Sequence, residues 1–274
     1  MTTSPVTGHR YLDRVHEQPG SVLAFAHRGG AEHPEIRGLE NTLHAFRHAY
    51  GLGYRWFETD VHLSADGELV AFHDTRLDRV TDGSGALADL PLAAIRAARV
   101  GGREPVPTLA ELVEAFPDVQ FNIDIKAEGA TGPLARFLLD RELGERVMVG
   151  AFSPRRLGRF RQLTRGAIPT SAHPGEVAAF VTAPTLRVGR SLLRGRVAAL
   201  QVPHHHLFHG RRVEVVTDRL VRRAHDAGLH VHVWTIDDPA EMHQLLDLGV
   251  DGIMTDRTDL LRDVLIERGR WWSA

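Results

Sequence analysis

The sequence predicts an α/β protein folded as a single (β/α)8 barrel. Eight short apolar runs alternate with helical patterns along 274 residues. Strict alternation of strand and helix implies parallel strands joined by right-handed crossovers, and eight such units in about 250 residues favour a closed barrel over an open sheet. Hydrophobic residues make up 43% and charged residues 25% of the chain, a balance that suits one large folded domain.

The individual elements follow from apolar periodicity. Strands are predicted at 22–26, 55–63, 119–126, 147–152, 167–173, 198–202, 229–235 and 252–255. Helices are predicted at 41–50, 108–116, 133–143, 154–163, 174–193 in one or two pieces, 217–227, 239–248 and 259–266. The resulting rhythm is structural, because the sequence itself does not repeat.

The chain is predicted to divide into an N-terminal arm, residues 1–20, and one barrel domain, residues 21–274. A small insertion after the second strand, at about 74–107, breaks the alternation with Gly83, Gly85, Pro105 and Pro107. We interpret this insertion as a cover over one mouth of the barrel.

Composition limits the possible partners and compartments. A net charge of −2, from 33 basic and 35 acidic residues, gives no overall attraction to nucleic acid or anionic membranes. The absence of cysteine excludes disulfides, thiolate metal sites and a cysteine nucleophile. The first twenty residues lack the apolar core of a signal peptide, and no apolar run is long enough to insert stably into a membrane, so we expect a cytoplasmic protein.

Two neighbouring strands direct polar side chains into the barrel. Glu58 and Asp60 share one face of the second strand, and Asn122, Asp124 and Lys126 share one face of the third. Alternate residues of a barrel strand face the interior, and barrel active sites form at the carboxyl ends of the strands. A polar interior opposite an apolar exterior therefore predicts a functional site.

Two further observations point to the same place. Lys126 is the single lysine among the 33 basic residues. Coding bias could have replaced the other lysines by arginine and left this one by chance, but its inward position instead indicates a site that needs a compact ammonium group. If Asp66 and Gly67 form a two-residue hairpin, the pairing places His73 opposite Asp60. The imidazole of His73 would then lie beside the acids of the second strand.

These motifs resemble the glycerophosphodiester phosphodiesterase family over almost the whole chain. The resemblance rests on the segments 27–30 (HRGG), 40–42 (ENT), 58–60 (ETD), 66–67 (DG), 73–74 (HD), 107–109 (PTL), 124–126 (DIK), 233–235 (VWT) and 252–256 (GIMTD). The chain departs from the family pattern at two positions. It has Asp124 where the family more often has glutamate, and it has Leu39 where the family has a proline before the Glu-Asn-Thr motif. The loop before Glu40 is also lengthened.

The resemblance implies a metal-dependent hydrolase of lipid metabolism that splits glycerophosphodiesters into sn-glycerol 3-phosphate and an alcohol. It implies that Glu58, Asp60 and Asp124 bind one divalent cation. Three carboxylates without a cysteine partner form a hard oxygen site, which suits Mg²⁺ or Ca²⁺ better than zinc.

The same resemblance assigns the remaining site residues. His27 and His73 would form the acid–base pair, and Arg28 and Lys126 would hold the phosphate. Two imidazoles, each with a reference pKa near ~6.5, can supply one base and one acid near neutrality. A working assignment has His27 activate the nucleophile, with the opposite order also open. Trp234, at the end of the seventh strand, is expected either to pack on the substrate or to join the core.

Other interpretations remain open at this stage. The same residues would serve a lysophospholipase D-like or sphingomyelinase D-like enzyme whose substrate hydroxyl attacks to give a cyclic phosphate. A non-catalytic phosphate-binding barrel is a further alternative. His204, His205, His206 and His209 follow the sixth strand and are interpreted as solvated loop residues, with substrate contact or a second metal as alternatives. The headgroup alcohol, the identity of the cation and the oligomeric state are not encoded in these patterns.

Overall fold

A ring of parallel strands forms the centre of the computed structural model, which describes residues 4–18, 20–193, 196–208 and 210–272. The strands are Leu23–His27, Trp56–Leu63, Gln120–Ile125, Val147–Gly150, Ala199–Pro203, His230–Trp234 and Gly252–Thr255. Thr170 and Ser171 fill the fifth position, where they form parallel bridges to Val149 and Ala199. Every neighbouring pair in this ring is parallel, which confirms the predicted barrel.

Helices surround the ring and follow the predicted order. They are Leu43–Gly51, Leu109–Ala115, Thr131–Asp140, Pro154–Thr164, Pro174–Thr182, Leu186–Leu193, Asp218–Asp226, Pro239–Leu248 and Thr258–Glu267. The segment predicted at 174–193 thus forms two helices. Several of these helices begin at a hydroxyl cap, as at Thr42, Thr108, Ser153 and Thr217. At Thr108 the hydroxyl accepts from the backbone N–H of Glu111, and the Glu111 carboxylate accepts from the backbone N–H of Thr108.

Apolar side chains fill two layers. Between strands and helices, Phe57, Phe121 and Ile123 belong to the large outer core, as their alternation predicts. Inside the barrel, at the amino ends of the strands, Trp56 and Met148 belong to a second apolar cluster. This second layer closes one end of the barrel, so polar interior residues can reach solvent only at the opposite end.

Part of the predicted N-terminal arm packs against the closed end of the barrel. Residues 10–17 form a turn of α-helix, Arg10–Asp13, and a 3-10 turn, Arg14–Glu17. Their buried side chains Tyr11 and Leu12 join the inner apolar cluster, as does Trp272 from the other end of the chain. The division into an arm of residues 1–20 and a domain of residues 21–274 stays a prediction.

The hairpin after the second strand differs from its prediction by one residue. Residues 61–63 pair with 69–71 in an antiparallel register that leaves a three-residue loop ending at Gly67, whose φ is +91°. Phe72 therefore lies opposite Asp60 and donates its backbone N–H to the Asp60 carbonyl at 3.0 Å. The predicted pairing of His73 with Asp60 is wrong, because a third loop residue shifts the register.

The insertion forms a small subdomain of short elements. These are the 3-10 turns Leu77–Arg79 and Leu87–Asp89, the helix Leu92–Ala97 and the strands Arg99–Val100 and Glu104–Pro105. Leu77, Leu87 and Ile95 are buried in an apolar cluster of its own, which meets the barrel through Val70 and Phe72. No helix within the described ranges is long and apolar enough to cross a membrane.

Gly252 provides a test of interior packing. A Cβ at this position would lie 2.7 Å from Phe25 and 2.9 Å from His232, so Gly252→Ala should destabilise the protein by about 1–3 kcal/mol through overpacking. Gly158 lies in the helix Pro154–Thr164, and a Cβ there would meet no atom within 4 Å, so Gly158→Ala should instead stabilise the protein by up to about 1 kcal/mol. Urea denaturation midpoints measure both effects, and equal midpoints for the two variants would contradict this packing.

Candidate active site

Asp60 lies at the centre of a buried cluster of charges. Its side chain is only 1% exposed, and one carboxylate oxygen accepts from Asn41 at 3.0 Å and lies 3.1 Å from Arg28 Nε. The other oxygen lies 2.9 Å from Lys126 Nζ. Burial alone would raise the pKa of Asp60, but the Lys126 and Arg28 cations outweigh it and lower the pKa to about 2. Asp60 is therefore an anion held by two cations and an amide.

Lys126 joins carboxylates from two strands. Asp60 and Asp124 are direct partners in the parallel register, and the ammonium of Lys126 lies 2.7 Å from Asp124 Oδ2 as well as against Asp60. Burial disfavours the charged amine, but the two carboxylates raise the pKa of Lys126 above its usual value. The other oxygen of Asp124, Oδ1, is buried without a hydrogen-bond partner.

Glu58 and His27 form the next part of the cluster. Glu58 Oε2 lies 3.7 Å from His27 Nε2, and Asp256 Oδ1 lies 2.9 Å from His27 Nδ1. Burial and the neighbouring Asp60 raise the pKa of Glu58 to about 7. Burial lowers the pKa of His27, but Glu58 and Asp256 more than compensate and raise it to about 9. The protonation of His27 is thus tied to the charge on Glu58.

His73 approaches the site from the base of the insertion. Its Nδ1 lies 2.6 Å from Asp74, and Asp74 in turn accepts from Arg79 at 2.6 Å. A hydrogen bond from Arg79 is the main reason that the pKa of Asp74 falls to about 2. Arg79 also donates to both oxygens of Glu40, which lies 3.3 Å from Arg28. Arg79 thereby links His73, through Asp74, to Arg28, the residue predicted to bind phosphate.

The loop after the first strand requires left-handed backbone. Arg28 and Asn41 have φ values of 49° and 58°, and their backbones are joined by a hydrogen bond from Asn41 N to Arg28 O at 2.8 Å. Gly29 has φ +88°, and a Cβ there would lie 2.7 Å from Ala45. This tight path brings the side chains of Arg28 and Asn41 together onto Asp60.

Two aromatic side chains stand at the open end of the barrel. Trp234 is half-buried and meets Phe152 edge to face, with ring centroids 5.7 Å apart. The Phe152 side chain is 55% exposed, and Lys126 Nζ lies 5.8 Å from its ring centroid. Sequence reasoning left open whether Trp234 contacts substrate or joins the core, and its partly buried side chain packs against the inner apolar cluster. Sequence reasoning missed Phe152, although that residue ends the predicted fourth strand.

The predicted metal ligands lie close together but do not converge on one point. Within the described part of the chain, Glu58, Asp60 and Asp124 do not bring three oxygens within 4.8 Å of one another, because Lys126 and Arg28 lie among them. The donor set nevertheless fits a hard divalent cation. The Asp124 Oδ1 atom lacks a hydrogen-bond partner, and burial together with the neighbouring Asp60 raises the pKa of Glu58, so a cation placed here would stabilise both acids.

Comparisons with known proteins show which family and fold this chain shares. The glycerophosphoryl diester phosphodiesterase family matches residues 27–260. "Probable glycerophosphodiester phosphodiesterase 2" of Mycobacterium tuberculosis is 41% identical, over 93% of this chain and 95% of its own. A crystal structure of a Silicibacter pomeroyi DSS-3 protein superposes with a TM-score of 0.78, covering 97% of this chain and 100% of that one at 24% identity. A phosphodiesterase of Oleispira antarctica, solved with the product sn-glycerol-3-phosphate, superposes with a TM-score of 0.70 over 89% and 96% of the two chains at 25% identity.

Asn41 tests the charge balance around Asp60. It donates to Asp60 at 3.0 Å and accepts from Thr59 at 2.7 Å, and it is 1% exposed. Asn41→Asp keeps the shape but replaces a donor by a second carboxylate, so the free energy of unfolding should fall by at least about 2 kcal/mol at pH 8. The loss should be smaller at pH 5, where the new acid can bind a proton. Chemical denaturation at both pH values measures it, and an unchanged midpoint at pH 8 would refute this role of Asn41.

Proposed function

The chain belongs to the glycerophosphoryl diester phosphodiesterase family and is a glycerophosphodiester phosphodiesterase. From this premise we propose that the site described above hydrolyses glycerophosphodiesters to sn-glycerol 3-phosphate and an alcohol. The observation that carries the proposal is the buried arrangement of Asp60, Asp124 and Lys126 beside two imidazoles, each bound to a carboxylate. The product held by the Oleispira antarctica relative supports the same reaction.

Glu58, Asp60 and Asp124 would hold one divalent cation, Mg²⁺ or Ca²⁺. When bound, such an ion stabilises the negative charge that grows on the phosphoryl oxygens as the phosphorus is attacked. All three carboxylates are nearly or fully buried, so the protein itself keeps them in place by hydrogen bonds and ion pairs. Burial and the neighbouring Asp60 raise the pKa of Glu58, and an added positive charge would lower it again.

Arg28 and Lys126 would bind the non-bridging phosphate oxygens. Both cations already lie at Asp60, on opposite carboxylate oxygens, and each has a flexible side chain that can exchange a carboxylate for a phosphate. Arg28 is additionally held by Glu40 at 3.3 Å, so its guanidinium is oriented before substrate arrives. Lys126 contributes a compact charge next to the predicted metal ligands.

His27 and His73 would be the acid–base pair. Each histidine places its Nδ1 on a carboxylate, Asp256 and Asp74 respectively, which leaves Nε2 for proton exchange with the substrate. One imidazole takes the proton of the attacking group and the other returns a proton to the leaving alkoxide. Each such transfer typically contributes about 10²- to 10⁴-fold to the rate.

Trp234 and Phe152 would contact the alcohol portion of the substrate. The exposed Phe152 ring gives the mouth an apolar wall, and this observation also favours a lysophospholipid or sphingolipid as an alternative substrate. In that alternative a hydroxyl of the substrate attacks and a cyclic phosphate forms. Product analysis in ¹⁸O-labelled water separates the two reactions, because cyclisation leaves no label in the first product.

The cation requirement is tested by turnover of glycerophosphocholine with coupled detection of glycerol 3-phosphate. Treatment with EDTA should abolish turnover, because it removes the ion that would stabilise the charge growing on the phosphoryl oxygens, and addition of Mg²⁺ or Ca²⁺ should restore it. Full activity in EDTA would remove the metal from the mechanism. Activity that returns with one of the two ions identifies the preferred cation.

Substitutions test the side-chain roles. His27→Ala and Lys126→Arg should each lower kcat by at least about 10²-fold while the protein stays folded, as measured by its circular dichroism spectrum. Arg76→Gln is the control, because Arg76 is exposed and its side chain pairs with Asp78 rather than with the site. A wild-type rate in either test variant would exclude that residue from the reaction, and a fall in the control would point to a disturbance of the whole insertion.

A further inference from the structure

A second cluster of metal-ligand type lies outside the catalytic cluster. His204, His205 and Glu241 each place one donor atom so that the three atoms lie within 4.8 Å of one another. His204 directly follows the barrel strand Ala199–Pro203, and His205 begins a hairpin whose strands are His205–Phe208 and Arg211–Glu214. Because strand 199–203 ends at the open mouth of the barrel, this cluster stands beside the catalytic opening.

His204 lies between two carboxylates. Its side chain is only 2% exposed, with Nδ1 in direct contact with Glu241 and Nε2 at 3.6 Å from Glu214. Its Nε2 has no hydrogen-bond partner. A neutral imidazole carries one N–H and can therefore donate to only one of two carboxylates. A metal at Nδ1 removes this mismatch, because the proton then resides on Nε2, which faces Glu214.

This is the arrangement found around metal-bound histidines generally. A ligating imidazole almost always donates its second ring N–H to a carboxylate, carbonyl or water, which orients the ring and strengthens the ligand. Here Glu241 would be the carboxylate ligand and Glu214 the outer carboxylate. The two acids come from different elements, the helix Pro239–Leu248 and the hairpin strand Arg211–Glu214.

His205 offers the third donor. Its Nδ1 lies 3.7 Å from Glu241 Oε1, close to the roughly 3.3 Å that separates ligands placed ~2.0 Å from a tetrahedral zinc ion. His204 Nδ1 is in direct contact with the same oxygen, so these two atoms must separate for an ion to enter between them. Arg212 approaches the same nitrogen at 3.0 Å. A guanidinium can only donate, so His205 Nδ1 is deprotonated and presents a lone pair. Arg212 occupies the position that a metal would take, and it is exposed and free to move away.

We propose that His204, His205 and Glu241 bind a transition-metal cation such as Zn²⁺. This ion would link the hairpin strands His205–Phe208 and Arg211–Glu214 to the helix Pro239–Leu248, beside the open end of the barrel. Two imidazoles and one carboxylate suit Zn²⁺, whereas the oxygen donors of the catalytic cluster suit Mg²⁺ or Ca²⁺. The two sites therefore select different ions. His209, which belongs to the same group of histidines in the sequence, lies outside the described residues.

A second histidine cluster provides a contrast. His33, Glu35 and His48 also bring three donors together. However, Glu35 is 74% exposed, and His33 Nδ1 already accepts the Glu35 backbone N–H at 3.2 Å. The carboxylate of that cluster is thus mostly in solvent, whereas the Glu241 side chain is only 26% exposed. The cluster of His33, Glu35 and His48 therefore serves as an internal control in the experiment.

The experiment uses Co²⁺ as a spectroscopic substitute for Zn²⁺. The full chain is stripped with EDTA, dialysed, supplied with excess Mg²⁺ to fill the oxygen site, and titrated with Co²⁺ while the visible absorption of low-symmetry Co²⁺ is followed. We expect one Co²⁺ per chain to give this signal and excess Zn²⁺ to abolish it. Because binding is measured directly, the result does not depend on whether the proposed hydrolysis is correct.

Variants assign the bound ion. Glu241→Gln and His205→Gln should each weaken Co²⁺ binding by at least about 10-fold, since even partners of metal ligands have effects of that size. Arg212→Ala should strengthen binding, because it removes a competing cation from His205. His206→Gln, an exposed neighbour on the same strand, and His48→Gln, in the other cluster, should leave the isotherm unchanged.

Three outcomes would overturn the proposal. The first is the absence of the Co²⁺ signal in the wild-type chain. The second is an unchanged isotherm in both Glu241→Gln and His205→Gln. The third is loss of the signal in His48→Gln, which would assign the ion to the other cluster.

Discussion

Burial of the Asp60 carboxylate is the constraint on which the rest of the site depends. An ionised acid that is 1% exposed needs partners of opposite charge, and here they come from the first loop, as Arg28 and Asn41, and from the neighbouring strand, as Lys126. Each of the two cations also pairs with a second acid. Arg28 pairs with Glu40, and Lys126 pairs with Asp124. The groups that compensate the charge of Asp60 therefore account for most of the cluster.

The closed barrel makes that burial possible. Apolar side chains fill the inner space at the amino ends of the strands, and Tyr11, Leu12 and Trp272 cover it from below. Above them lies a polar layer in which Gln201 donates to Asn122 at 2.9 Å and approaches His232 at 3.4 Å. Burial and the neighbouring His230 lower the pKa of His232 to about 3, so this ring stays neutral at physiological pH. The layer of side chains directly below the charged groups of the site, Asn122, Gln201 and His232, is therefore uncharged.

Side-chain alternation was sufficient to predict which acids point inward, because its period of two is fixed by strand geometry. Glu58, Asp60 and Asp124 were found this way, and the barrel itself followed from the order of strands and helices. The hairpin register was missed, since a two-residue and a three-residue loop are both compatible with Asp66-Gly67. The contact between Arg79 and Glu40 joins residues 39 positions apart, and no local pattern encodes it. Phe152 was missed because an exposed aromatic at a strand end has no periodic signal.

The insertion has a consequence for how such barrels diversify. Its apolar cluster is built largely from its own residues, and among its contacts with the charged centre the hydrogen bonds of Arg79 at its base stand out. Segments beyond that arginine can therefore be lengthened, shortened or exchanged between relatives while the chemistry underneath is preserved. Under the proposed function, such changes would alter the selectivity for the alcohol portion of the substrate without moving the charged groups around Asp60.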